Sequence, residues 1–171
     1  MKRVLYIFAV AALLAASASA PAGAQTSAEP LKKASAIQVL MIQSDEIKLP
    51  AEFQISLYEN LIQQLQKQGR FQHVFRDGDK NADGASDLVV LHSNVKGFKK
   101  GSEMTRNVTT VAGKTSIDIH CLFTNKDGKM VLERDLTGKV QFLGGNLRAT
   151  FDFAKKAAKL ADDSFTTAAK P

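Results

Sequence analysis

The alternation of apolar and polar positions divides the chain into a short series of elements. Residues 37–43 are almost entirely apolar, interrupted by Gln38, as in a strand covered on both faces. Phe53, Leu57, Leu61 and Leu65 recur every four residues, with Tyr58 and Ile62 beside them. That spacing predicts an amphipathic helix from Pro50, at its first position, to about Gln68. Glu52 complements its dipole and Gly69 stops it. A short strand is expected over 71–75, then a polar turn-rich loop over 77–86 and a central strand at Leu88-Val89-Val90-Leu91. Residues 97–111 read as an irregular excursion rich in Lys, Ser and Thr.

Two further strands, 115–123 and 130–142, flank Asn125-Lys-Asp-Gly-Lys129, a hairpin signal. A last helix is expected over 150–165, with Phe153, Ala157, Leu160 and Ala161 on one face and Lys155, Lys156 and Lys159 on the others. The order β-α-β-β-β-β-α predicts an α/β (α+β) two-layer sandwich, with two helices packed on a mixed, largely antiparallel sheet. Its core is expected at Phe53, Leu57, Leu61, Leu65, Val89, Leu91, Ile117, Ile119, Leu132, Phe153 and Leu160.

The first residues carry a different message. Lys2 and Arg3 precede an unbroken apolar run over 4–16, followed by small residues. Charge, apolar core and small-residue exit are the parts of a Sec-type signal peptide. The run is shorter than the ~20 residues a membrane-spanning helix needs. Cleavage after Ala24, behind Ala22-Gly23-Ala24, leaves Gln25 at the new N terminus, whereas cleavage after Ala20 leaves the unfavourable Pro21. No cysteine stands nearby to accept lipid, so the expected product is periplasmic or secreted, with no stable membrane anchor. The expected organisation is a signal peptide over 1–24, a flexible leader over 25–35, one domain over 36–166 and a tail over 167–171.

Composition adds little beyond this. The formal charge of +6 loses the two positive charges of the signal segment, and the modest remainder is spread along the chain. With no basic-aromatic recognition stretch, nucleic acid is an unlikely partner. Cys121 stands alone, which excludes an internal disulfide. Strand spacing puts it on one face with Ile117, Ile119 and Phe123, the setting of a buried thiol. His120 then points to the opposite face, against a Cys-His dyad.

The only specific ligand pattern is Asp79-Lys-Asn81-Ala-Asp83-Gly84-Ala-Ser-Asp87. Alternate oxygen ligands at Asp79, Asn81 and Asp83, a turn glycine at Gly84 and Asp87 in ninth place match the first half of a calcium loop. The twelfth position is Val90 instead of the bidentate Glu, and a strand follows in place of a helix. The simpler reading is a solvated turn. Ala112-Gly113-Lys114-Thr115 looks like the end of a phosphate loop, but Val108 replaces its first glycine. His73, His92 and His120 fall on three different strands, where a shared metal site is conceivable though isolated histidines are the commoner case. Asn107-Val-Thr109 matches a glycosylation acceptor, which means little in a bacterial chain. No serine occupies a nucleophile elbow. Neither catalytic residues nor a cofactor are expected.

Ser86-Asp-Leu-Val-Val90, Phe98-Lys-Lys-Gly-Ser102, the hairpin ending in Gly138, Gly144-Gly145 and the closing Ala/Lys helix together resemble the domain-of-unknown-function family 4410. The resemblance spans roughly residues 36 to 166. The family's D-x-x-T-G hairpin turn reads Asn125-Lys-Asp-Gly128 here, shorter and without the threonine. Members are exported bacterial envelope proteins, many of them lipoproteins, a feature this chain lacks. The resemblance implies an envelope location and a fold, and the arrangement looks like accessory subunits of transport or assembly machines. An interaction module binding an envelope protein or component, through a sheet edge or the excursion over 97–111, is the expected role, with a calcium-dependent binding or structural domain as the alternative.

Overall fold

A computed structural model describes residues 32–102, 113–140 and 145–166. Residues 1–31, with the signal segment and most of the leader, residues 103–112 of the excursion, 141–144 and the tail lie outside the described residues. Five strands form one mixed sheet in the order β3-β2-β4-β5-β6: β2 (Ala36–Val39), β3 (His73–Arg76), β4 (Leu88–Lys99), β5 (Thr115–Asn125) and β6 (Met130–Val140). β2 runs parallel to β3 and β4, and β4, β5 and β6 are antiparallel. Helices α1 (Ala51–Gln68) and α2 (Arg148–Ser164) pack on each other and on one face of the sheet, giving the expected α+β sandwich.

Period-2 alternation decides what each strand buries. Val89, Leu91 and Val95 of β4 and Ile117, Ile119, Cys121 and Phe123 of β5 meet the helices at no more than 3% exposure. From α1 come Phe53, Leu57, Leu61 and Leu65, and from α2 Phe153, Ala154, Ala157 and Ala161, all essentially without solvent contact. Leu132 and Leu160, expected inside, are only partly buried at the margin of this core. Gly69, at φ 68°, closes α1 in the left-handed conformation that a Cβ would disfavour. At the β5–β6 turn, Asn125 Oδ1 accepts from the N–H groups of Asp127 (3.1 Å) and Lys129 (2.8 Å).

Several boundaries differ from the expectation. Pro50 is the N-cap, one position outside α1; its ψ of 141° is extended, and its carbonyl accepts the first helical bonds from Phe53 and Gln54. β4 runs on to Lys99, so the excursion begins after it. His92, Asn94 and Lys96 alternate with buried positions and lie on a face without a helix, so their polarity does not end the strand. β2 stops at Val39, yet the chain stays beside β4: Leu40 N–H donates to Leu91 O and Gln43 N–H to Ser93 O. The short strand sits at 73–76, two residues later than expected at its start. Lys32–Lys33 (β1), placed in the leader by the sequence, pair in parallel with Phe165–Thr166 (β7), and Ala34 is fully buried.

Two outcomes follow. Leu61→Ala opens the α1 contact with the sheet and should cost about 2–5 kcal/mol in a chemical melt; an unchanged melt would contradict the core described here. Burial pushes the Cys121 thiol from its ordinary 9.0 up to about 12, with the facing Ser93 hydroxyl pulling weakly the other way. Above the unfolded thiol's pKa the folded chain holds the extra proton, so stability is complete below about pH 9 and falls as pH rises toward 12, by up to about 1.4 kcal/mol per unit. The wild type should therefore lose stability faster in alkali than Cys121→Ala, and parallel losses would refute the assignment.

Candidate functional site

Both helices lie on one face of the sheet, and among the described residues nothing packs over the other face along β4, β5 and β6. Register places His92 beside Leu122 and Leu122 beside Glu133; one step along, Asn94 stands beside His120 and His120 beside Asp135. Cross-strand neighbours at these spacings touch. His120 Nδ1 lies 2.7 Å from Asp135 Oδ1, and its Nε2 lies 3.0 Å from Glu133 Oε1. A neutral imidazole has a single N–H, so only the doubly protonated ring donates to both carboxylates. The two contacts hold the His120 ring between two carboxylates of β6. His92 Nε2 lies 3.3 Å from Thr124 Oγ1, and Thr137 Oγ1 donates to Asp118 Oδ1 at 2.6 Å. The result is a flat lattice of paired polar side chains around Leu122.

His92 and His120 are diagonal neighbours on this face. His73 is far from them: it pairs with Ala36, which pairs with Leu88, four residues before His92 on β4. The structure therefore brings two of the three histidines near each other and leaves the third at the sheet's opposite side. Among the described residues no group of three or more His, Cys, Asp or Glu is placed to hold a metal ion. Cys121, on the core face, is separated from His120 by the sheet itself.

The Asp79 loop folds as a 3-10 helix, Lys80–Gly84, capped by Asp79. Asp79 Oδ1 accepts from Asn81 N–H at 3.0 Å and from Asn81 Nδ2 at 2.8 Å. Ala82, 1% exposed, packs on Ala36 and Leu88, so the loop covers the β2–β4 end of the second sheet face. Asp79 and Asn81 are thus joined. The backbone carbonyl of Asp83 accepts from Lys126 Nζ, and Asp87 lines a separate hollow of about 230 Å³ with Lys33, Asn125 and Asp127. Between the loop and β3 lies an open depression of about 510 Å³, lined by His73, Phe75, Asn81, Gly84 and Ala85.

One edge of the sheet is guarded. Asp152 Oδ2 accepts from Lys139 N–H at 2.9 Å, and Lys156 Nζ donates to Thr137 O at 2.7 Å, while Asp152 and Lys156 pair with each other at 2.7 Å. The two side chains occupy main-chain groups that another strand would otherwise use. Sequence reading missed both this clasp and the polar face. The face had a signal in the polar residues alternating along 92–96; the clasp had none, because it joins positions thirteen and nineteen apart through the packing of α2.

No family model matches the chain, and no curated protein matches it. The motif resemblance to family 4410 therefore has no matching model behind it. Among solved structures, the chain is similar to the PelC dodecamer from Paraburkholderia phytofirmans, with a TM-score of 0.56 and 15% identity over 79% of this chain and 91% of that one. It is also similar to a protein from Xanthomonas campestris of the family-model DUF330, with a TM-score of 0.50 and 12% identity over 77% of this chain and 85% of the other. At such identities the likeness is one of fold, which the chain shares with bacterial proteins including one of an uncharacterised family.

Proposed function

We propose that the domain is a non-enzymatic accessory or interaction module of the bacterial cell envelope, acting in the periplasm or outside the cell. The observation that carries the reading is the one-sided cover of the sheet. Both helices pack on one face, while the other presents Leu122 beside the paired side chains of His120, Glu133 and Asp135, with His92 bonded to Thr124. Side chains already paired with one another form a shaped, pre-organised surface, which lowers the ordering cost of docking. The N-terminal sequence supports export, and among the described residues no helix is long and apolar enough to cross a membrane.

A second copy of this chain is one candidate partner, because the PelC protein of similar fold is a dodecamer. The test is affinity capture from envelope extract with the mature chain beginning at Gln25, beside light scattering of the purified protein. Leu122→Arg places a charge in the middle of the face and should abolish capture or self-association with an unchanged melt. Ile55→Arg, at a position on α1 that is 63% exposed, should leave both intact. Equal capture by Leu122→Arg and wild type, or measurable turnover of a substrate, would overturn the proposal.

A further inference from the structure

The depression beside β3 has a chemistry of its own. His73 and Phe75, two residues apart on the edge strand, project on the same side with ring centroids 5.7 Å apart and planes 16° from parallel. Phe75 rests on the small apolar cluster of Ala36, Ala82 and Leu88, which fixes it, whereas His73 is exposed. Across from them stands Asn81, oriented by the bond from its Nδ2 to Asp79, so that Oδ1 faces away from that carboxylate. Among the described residues neither Asn81 Oδ1 nor the His73 ring nitrogens have a partner. Gly84 completes the lining, and a Cβ built there meets nothing within 4 Å. No acid, lysine or arginine is among the lining residues.

We infer that this depression binds a planar, uncharged nitrogen heterocycle, which continues the His73–Phe75 ring pair and donates an N–H to Asn81 Oδ1. Parallel, offset rings at such separations attract through their quadrupoles, and a planar ring of any substitution can join them. The volume of about 510 Å³ falls within the range of small-molecule sites, and a few fixed polar atoms beside an apolar surface are their usual lining. The inference is independent of partner docking at Leu122, which lies elsewhere on the sheet.

Adenosine is a suitable probe, followed by the NMR signals of the His73 and Phe75 rings and the Asn81 side-chain amide. An open site of this kind should bind in the millimolar range, ~1 mM. Gly84→Phe puts a side chain into the depression and should weaken adenosine at least ~10-fold with the melt unchanged. If that variant does not fold, Asn81→Leu removes the exposed acceptor and should also lower affinity. Methyl glucoside and N-acetylphenylalaninamide serve as comparison ligands. Absence of shifts with adenosine would overturn the inference, as would equal shifts with methyl glucoside. Binding of N-acetylphenylalaninamide alone would overturn it too, reassigning the depression to a protein side chain. Adenosine binding untouched by both substitutions would place the ligand elsewhere.

Discussion

The seating of α2 on β6 depends on one close approach. A Cβ at Gly138 would fall 2.2 Å from the Ala149 carbonyl oxygen and 2.8 Å from Phe153 Cβ, so only glycine lets the helix come this near. The helix answers with small residues: Ala149, Ala154, Ala157, Ala158 and Ala161 are all buried. Alanine on this scale lets α2 lie close to both α1 and the sheet, while Phe153 and Phe165 fill the remaining volume. The same seating carries Asp152 and Lys156 to the edge of β6, where they take up main-chain groups at Lys139 and Thr137. Core closure and edge protection are consequences of a single contact.

With both helices on one side, the opposite face has to be managed by its own side chains. Over β2 and the start of β4 the 3-10 helix does this by placing Ala82 on Ala36 and Leu88. Farther along, no other described element lies on the strands, and polar residues pair across them, His120 with Asp135 and Glu133, Thr137 with Asp118. The uncovered sheet is therefore ordered yet accessible. Recognition surfaces carried on rigid strands keep their geometry better than those carried on loops.

The helix α1 was legible because its four-residue apolar recurrence is local, and every residue of that recurrence is buried. Cys121 was legible for the same reason, through a period of two. The long β4 was not, since a strand open on one face looks like a loop wherever its polar residues cluster, as at His92 to Lys96. Asp79 and Asn81 are joined by a hydrogen bond within a capped 3-10 helix, a local arrangement that ligand spacing did not reveal, and Asp87 belongs to the neighbouring hollow. Spacing along the chain said nothing of whether His73 and His92 would meet. That is decided by strand order, in which β2 is interposed between β3 and β4. The depression at His73, Phe75 and Asn81 was hidden likewise, because it forms between an edge strand and a loop that folds back over it.

The proposed docking surface is the uncovered sheet face and not the helical layer. Amide hydrogen exchange of the domain, alone and saturated with its captured partner, tests this directly. The account predicts added protection in the β4, β5 and β6 segments around His92, Leu122 and Glu133, with α1 and α2 unaffected. Protection confined to α1 and α2 would contradict it.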